Sequence, residues 1–390
     1  MHQAFSPLSL GPLQLKNRFV RAAAFEGMCF GGNVSDELIA YHRAVAKGGT
    51  ALTTVAYAAV SVHGRSFTHQ LWMRPEILAD LRRLTNAVHQ EGGKISIQLG
   101  HCGDMAKFST VGQRSWAPCG GFNLYSLSLR KKMTHHMIQE VVDDFGKAVS
   151  LAADAGFDAV EIHAGHGYLI SQFLSPYTNH RRDDYGGSLI NRMRFGLEVI
   201  DRVMQVAGER GIAVIVKINM RDGFSGGMEK DESLLFAREL EIRGVQAIIL
   251  SGGFVSRSPM YVMRGNMPIS TLSAHAGSKL LGLMIRLFGQ WMIGNLPFRP
   301  LYFLEDALYF RQQLTLPLIY VGGVQTAQHI QDVMVNGFDG VAMARTLIED
   351  PAFVQQLSQN MHYASPCDAC NHCVAMIYDG PFACIQHSGS

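Results

Sequence analysis

The sequence predicts an α/β protein built as a closed (β/α)8 TIM barrel, with a helical insertion and a short Cys-rich C-terminal tail. Eight short runs of β-branched and small apolar residues alternate with longer amphipathic segments through most of the chain. No G-x-G-x-x-G follows the first run, which argues against the doubly wound nucleotide-binding sheet that shares this alternation.

The predicted strands are 19–25, 51–60, 94–100, 157–164, 212–219, 245–253, 316–323 and 338–345. Predicted helices fill the intervals at 35–47, 75–91, 138–155, 191–206, 231–243 and 326–336. The first of these helices has strong boundary signals, because a capping Ser35 and the acidic Asp36 precede its body and Gly48 follows its end.

Two segments fall outside the repeat. Residues 273–311 are rich in Met and Leu, and we expect a helical insertion packed on the barrel. The alternative is an apolar surface for a membrane face, a lid or a partner subunit. Residues 351–390 hold four of the seven cysteines, so the predicted domains are a barrel over 1–350 and a Cys-rich, metal-binding tail over 351–390.

Composition excludes several classes of protein. The chain has 390 residues, of which 47% are hydrophobic, so it can bury a large core. A net charge of +2 without a basic stripe argues against nucleic-acid binding. The N-terminus lacks the pattern of a secretory signal, so we expect a cytoplasmic protein, in which clustered cysteines indicate metal binding before disulfides.

Active sites of such barrels lie at the carboxyl ends of the strands. The last two predicted strands end in Gly322-Gly323 and Ala344-Arg345, an arrangement that can hold a phosphate, although glycines there could also serve the turn alone. Lys217 lies within a buried strand and needs an anionic ligand or a structural ion pair. These residues favour a phosphorylated ligand with an anionic ring.

A long motif then carries a family resemblance. The runs His163-Ala164-Gly165-His166-Gly167-Tyr168-Leu169, Gln172-Phe173-Leu174-Ser175-Pro176 and Asp184-Tyr185-Gly186-Gly187-Ser188 closely resemble the old yellow enzyme family of FMN-dependent oxidoreductases. Lys16-Asn17-Arg18 and Gln98-Leu99-Gly100-His101 agree with that family, and the resemblance spans nearly the whole chain.

The resemblance implies a role for each residue at the barrel mouth. His163 and His166 would donate hydrogen bonds to a substrate carbonyl, and Tyr168 would act as general acid. The implied FMN-binding residues are Ala23, Ala24, Ala56 and Gln98 at the ring, Lys217 near flavin N1, and Gly252, Gly253, Gly322, Gly323, Ala344 and Arg345 at the phosphate.

The implied reaction moves hydride from NAD(P)H through FMN to an activated C=C bond of a small molecule, of the enone or dienoyl type. The alternatives are an amine or demethylating dehydrogenase and a redox or electron-transfer module. Asp104 stands where many members carry Arg, and Lys217 replaces a frequent Arg, so the identity of the natural substrate does not follow from the family.

The tail carries Cys367, Cys370, Cys373 and, after ten intervening residues, Cys384. Four thiolates at close spacing are typical of both iron–sulfur and zinc sites. The motif resembles that of the trimethylamine dehydrogenase and 2,4-dienoyl-CoA reductase branch, with two intervals one residue shorter. The resemblance implies a 4Fe-4S cluster, with zinc or no metal as alternatives, and electrons supplied by NAD(P)H directly or by an electron-transfer protein.

Overall fold

A closed barrel of eight parallel strands forms the centre of the molecule. The computed structural model describes residues 1–276 and 279–387. The barrel strands are β1 (Phe19–Arg21), β2 (Leu52–Ala59), β3 (Lys94–Gly100), β4 (Ala159–Ala164), β5 (Ala213–Asn219), β6 (Ala247–Ser251), β7 (Leu318–Val321) and β8 (Gly340–Met343). Each strand pairs with the next, and β8 closes onto β1 with Val341 opposite Phe19. The predicted (β/α)8 barrel is confirmed.

Eight helices follow the strands around the barrel. They are α1 (Asp36–Lys47), α2 (Leu78–Gln90), α3 (His135–Asp154), α4 (Leu189–Arg210), α5 (Lys230–Ile242), α6 (Leu304–Arg311), α7 (Ala327–Val335) and α8 (Phe353–Gln359). The Ser35 side chain caps α1 by accepting from the Leu38 backbone N–H, as its sequence predicts. The range predicted as insertion includes α6, and the range predicted as tail includes α8.

The structure also contains shorter helices and strands. The helices are Phe108–Val111, Leu169–Leu174, Pro259–Met263, Ile269–Ala274, Lys279–Met292, Arg345–Glu349 and His372–Met376. The strands Ser115–Ala117, Gly121–Asn123 and Ser128–Lys132 form a small sheet. A hairpin of Leu8–Leu10 and Leu13–Leu15 buries its leucines in an apolar cluster with residues from the amino-terminal ends of the strands, which leaves the carboxyl ends available for a ligand.

The insertion presents apolar side chains to solvent. Helix Lys279–Met292 turns Gly282 and Gly289 toward the helix Ile269–Ala274, because a Cβ on either glycine would contact that helix. Its Leu280 and Trp291 are 71% and 82% exposed. Residues 277 and 278 of the predicted insertion lie outside the described residues. Within the described part of the chain, no helix is both long and apolar enough to cross a membrane.

Candidate active site

Every residue predicted for the barrel mouth lies at the carboxyl end of a strand or in the turn that follows it. Ala56, Gln98, His163 and Lys217 belong to β2, β3, β4 and β5, whereas Ala23, Ala24, His166, Tyr168, Gly252, Gly253, Gly322, Gly323, Ala344 and Arg345 come just after strands. The barrel topology therefore gathers residues from distant parts of the sequence at one end, as the strand pattern predicts.

A cleft between β7 and β8 is lined by Gly322, Gly323, Ala344 and Arg345. Gly323 has a φ of +70°, and a Cβ there would lie 2.9 Å from the backbone nitrogen of Leu301, so only glycine fits without displacement. Backbone N–H groups beside a guanidinium are suited to a phosphate.

The predicted phosphate residues do not all face this cleft. Gly252 and Gly253 are absent from its lining, and the Gly253 N–H donates to the Arg221 carbonyl at 2.9 Å. Arg345 is held by side-chain and backbone acceptors, because its Nη1 donates to Asn371 Oδ1 at 2.7 Å and to the Arg264 carbonyl at 3.1 Å. Sequence reasoning missed Asn371, a buried residue with a φ of +60° inside the cysteine motif.

Lys217 forms the ion pair that the sequence left open as an alternative. Its Nζ lies 2.8 Å from Glu161 Oε1 and donates to the Ala23 carbonyl at 3.3 Å. The same Glu161 oxygen accepts from Gln98 Nε2 at 2.6 Å. Sequence reasoning missed Glu161, although a carboxylate between Val160 and Ile162 in a buried strand is the same signal that identified Lys217.

His163, His166 and Tyr168 form one group. The His163 ring centroid lies 5.0 Å from that of His166 and 4.6 Å from that of Tyr168. His166 adopts a left-handed φ of +59°, fixed by its N–H donating to Asn219 Oδ1 and by a 2.7 Å contact between its Nε2 and Ser251 Oγ.

Burial sets the protonation of this group. Burial and the neighbouring positive groups hold the pKa of His163 well below its usual value. The same causes lower the pKa of His166 to about 3, so both imidazoles are neutral at pH 7. Burial raises the pKa of Tyr168, which keeps the phenol protonated. Two neutral N–H donors and one acidic O–H group can therefore polarise and protonate a bound molecule.

The residues present fit FMN. His163 Nδ1 and Glu161 Oε2 are buried, and neither has a hydrogen-bond partner among the described residues. Unpartnered buried polar atoms at a site are expected where a ligand completes the hydrogen bonding. Small side chains at Ala23, Ala24 and Ala56 lie at the same end of the barrel as Lys217 and Gln98, and the glycine cleft with Arg345 supplies donors for a phosphate.

The pKa of the buried Asp104 is shifted, and this shift makes the stability of the fold depend on pH. Burial raises the pKa of its carboxyl to about 6, against the opposing effect of Arg130 at 3.4 Å. Because the pKa in the folded state lies above that of the unfolded chain, this group stabilises the fold at low pH, and its contribution is lost as pH rises from about 4 through 6.

We therefore expect Asp104→Asn to gain stability relative to the wild type over that interval, by up to about 3 kcal/mol. Urea unfolding at several pH values between 4 and 7 measures the difference. Asp143→Asn, at an exposed carboxylate, should show no such trend. A constant difference between Asp104→Asn and wild type across this interval would contradict the assignment.

The cysteines of the tail gather around one cavity. Cys367, Cys370, Cys373 and Cys384 line it together with Arg345. Thiolates on a single tetrahedral zinc, with Zn–S of about 2.3 Å, would lie within about 4 Å of one another. No three of these sulfurs lie within 4.8 Å of each other, whereas His63, Glu140 and Asp144 are the group of described side chains that meets that limit. The four thiols line one cavity without forming a group of that compactness.

Comparison with known proteins identifies the family. Residues 3–256 match the model of the NADH:flavin oxidoreductase / NADH oxidase family. The 4,4'-dithiodibutanoate disulfide reductase of Rhodococcus erythropolis is 41% identical over 96% of this chain and 93% of its own length. An NADPH dehydrogenase of Bacillus subtilis is 28% identical over 93% of this chain and 96% of its own length. A metal reductase of Desulforamulus reducens is 32% identical, and this chain spans 53% of it.

Solved structures agree on the fold. A 2-naphthoyl-CoA reductase superposes over 98% of this chain and 56% of its own, with a TM-score of 0.84 and 22% identity. Morphinone reductase superposes over 98% of both chains, with a TM-score of 0.72 and 24% identity. The match of the family model and the length of the similarity to the Rhodococcus protein agree with the motif around His163. The chain therefore belongs to the NADH:flavin oxidoreductase / NADH oxidase family, the FMN-dependent oxidoreductases that include old yellow enzyme.

Proposed function

We propose that this protein is an FMN-dependent NAD(P)H reductase that transfers hydride to an activated C=C bond of a small molecule. One observation carries the proposal: the neutral imidazoles of His163 and His166 and the protonated phenol of Tyr168 form one group at the barrel mouth. Such a group suits a substrate whose carbonyl is polarised and whose α-carbon is protonated.

FMN supplies the redox chemistry when it is bound, since it accepts hydride from NAD(P)H and passes hydride to a substrate. We assign the chain three tasks around it. His163 and His166 donate hydrogen bonds to the carbonyl oxygen, which makes the β-carbon electron-poor. Tyr168 provides the proton for the α-carbon, because two imidazoles that are already neutral have no acidic proton to give at neutral pH.

The cofactor contacts are proposed in two groups. Gln98 and Lys217 hold the flavin ring, with Ala23, Ala24 and Ala56 leaving space for it. Gly322, Gly323, Ala344 and Arg345 bind the phosphate in the cleft between β7 and β8. Gly252 and Gly253 are not part of the lining of that cleft, and the Gly253 N–H already donates to the Arg221 carbonyl.

A disulfide is the second candidate substrate. It is favoured by the 41% identity with the 4,4'-dithiodibutanoate disulfide reductase of Rhodococcus erythropolis, which extends over 96% of this chain. In that reaction NAD(P)H and a proton reduce one S–S bond to two thiols, and the nicotinamide is oxidised. The barrel site would supply the hydride in both cases, so the two candidates differ in the acceptor alone.

Absorbance spectroscopy tests both candidates. Anaerobically purified protein should be yellow, bleach when NAD(P)H is added, and recover its colour with an enone or with a linear disulfide. Recovery with enones supports C=C reduction, and recovery with disulfides alone supports the second candidate. A colourless protein that takes up no FMN would defeat the proposal.

We further propose that the four tail cysteines hold a 4Fe-4S cluster that an electron-transfer protein can reduce. Their shared cavity supports it. Anaerobic protein should contain about four iron atoms per chain, and Cys370→Ala should lose them while Cys119→Ala, at a cysteine outside the motif, keeps them. One zinc atom per chain, or no metal, would contradict the proposal.

A further inference from the structure

Glu161 is a charged side chain buried inside the barrel. It lies outside the motif around His163 and has no role in the proposed reaction. It belongs to β4, two residues before His163, and is fully buried. Alternate residues of a strand point to the same face, so Glu161 and His163 face the barrel interior together. A carboxylate in such a place is costly unless its oxygens are bonded.

The two carboxylate oxygens of Glu161 differ in their contacts. Its Oε1 accepts from Gln98 Nε2 at 2.6 Å and lies 2.8 Å from Lys217 Nζ. Its Oε2 is buried, and no donor among the described residues reaches it. One carboxylate oxygen thus joins the two residues proposed to hold the flavin ring.

Glu161 fixes the orientation of the Gln98 amide group. An ionised carboxylate can only accept hydrogen bonds, so the amide group of Gln98 must turn its NH2 toward Glu161. This leaves the Gln98 carbonyl oxygen as the atom that can accept from a ligand. A glutamine held in this way selects a ring edge that presents an N–H group.

Glu161 also offsets the positive charge of Lys217. A carboxylate 2.8 Å from the ammonium offsets most of its field in a buried site. Lys217 without Glu161 would be an uncompensated cation in the barrel interior. The pair therefore presents less positive charge to a ligand than the lysine alone would.

We infer that Glu161 is a positioning residue for the flavin: it turns the Gln98 carbonyl toward the ring N–H, and it weakens the preference of Lys217 for reduced, anionic flavin. This inference rests on the proposed function, because it requires FMN at the barrel mouth. Glu161 thereby sets the reduction equilibrium without touching the substrate.

The test uses the FMN-loaded protein. In Glu161→Gln, no carboxylate offsets the field of Lys217, so the equilibrium between bound FMN and a reference redox dye should move at least tenfold toward reduced flavin. This corresponds to about 30 mV for a two-electron couple. The dissociation constant of oxidised FMN should rise at least threefold, because Gln98 is no longer held in one orientation.

A double-mutant cycle measures the coupling between Glu161 and Lys217. Lys217→Gln should shift the equilibrium in the opposite direction, and Glu161→Gln combined with Lys217→Gln should return it close to the wild type. Asp158→Asn is the matched control, because Asp158 is a largely buried carboxylate at the amino-terminal end of β4, paired with Lys94 and His89. It should lower stability without moving the flavin equilibrium.

A shift smaller than twofold in FMN-loaded Glu161→Gln would overturn the inference and leave the proposed function intact. Wild-type protein that binds no FMN would instead defeat the proposed function. If Glu161→Gln fails to fold, Glu161→Asp provides the measurement, since its shorter side chain keeps the charge but draws back from Gln98 and Lys217. A smaller shift in the same direction supports the inference, and a shift below twofold overturns it.

Discussion

Replacing Arg21 with methionine is expected to lower the free energy of unfolding by about 3–5 kcal/mol. Arg21 has no exposed surface, and its Nη1 lies 2.7 Å from the buried Glu26 carboxylate. The variant removes the guanidinium partner of Glu26, and the neighbouring His42, whose Nε2 lies 3.4 Å from the carboxylate, has its pKa lowered by burial. An isolated buried carboxylate is among the most destabilising defects that one substitution can create.

Urea unfolding at pH 7 measures this loss. The matched control is Arg83→Met, at an exposed arginine paired with Asp36, where little change in stability is expected. Combining Arg21→Met with Glu26→Gln removes the unpaired charge and should recover part of the stability. An Arg21→Met variant as stable as the Arg83→Met control would show that the buried pair contributes little.

The same pair supports the candidate site. Arg21 donates to the Ala24 carbonyl at 2.9 Å, and Glu26 accepts from the Ala56 N–H at 3.1 Å. Both alanines are proposed to leave space for the flavin ring, so a partly folded Arg21→Met protein should also bind FMN less tightly. The stability of the fold and the shape of the site depend on one ion pair.

Local sequence patterns were sufficient to predict the barrel. Each strand of the barrel lies within a predicted one, because β-branched runs between amphipathic segments indicate buried parallel strands. The predicted ends of β1, β6, β7 and β8 lie beyond the observed ends. Small residues such as Gly252 and Gly322 continue the apolar run in the sequence, although the strand has already ended there. Those turns are where the proposed ligand contacts lie.

Partners distant in sequence could not be predicted in the same way. The contact between Arg345 and Asn371, and the contact of Gln98 with Glu161, depend on how separate elements pack. The three short strands between Ser115 and Lys132 carry no clear alternation of apolar and polar residues, so no periodic signal indicates them. The family motif identified His163, His166 and Tyr168, but not the residues that orient them, such as Asn219.

Tyr168→Phe is expected to reduce turnover of an enone by about 10²- to 10⁴-fold, the usual contribution of a positioned general acid. The phenol is the protonated group of the site, since burial raises the pKa of Tyr168 and lowers that of both neighbouring imidazoles. The substitution removes one hydroxyl and keeps the ring that packs 5.0 Å from Tyr57 and 4.6 Å from His163. Binding of FMN and its reduction by NAD(P)H should therefore remain near the wild-type values.

Stopped-flow absorbance separates the two half-reactions of Tyr168→Phe. Bleaching by NAD(P)H should be nearly unchanged, whereas recovery with an enone should carry the whole loss, because only that step needs a proton at carbon. Tyr185→Phe is the matched control: its hydroxyl contacts Glu198 at 3.0 Å on a different part of the barrel, and both half-reactions should persist. Equal slowing of both half-reactions in Tyr168→Phe would assign this residue to flavin binding rather than to proton transfer. Unchanged recovery with enones would place the proton donor elsewhere, and for a disulfide acceptor, whose thiolate products need no proton at carbon, we expect a much smaller loss.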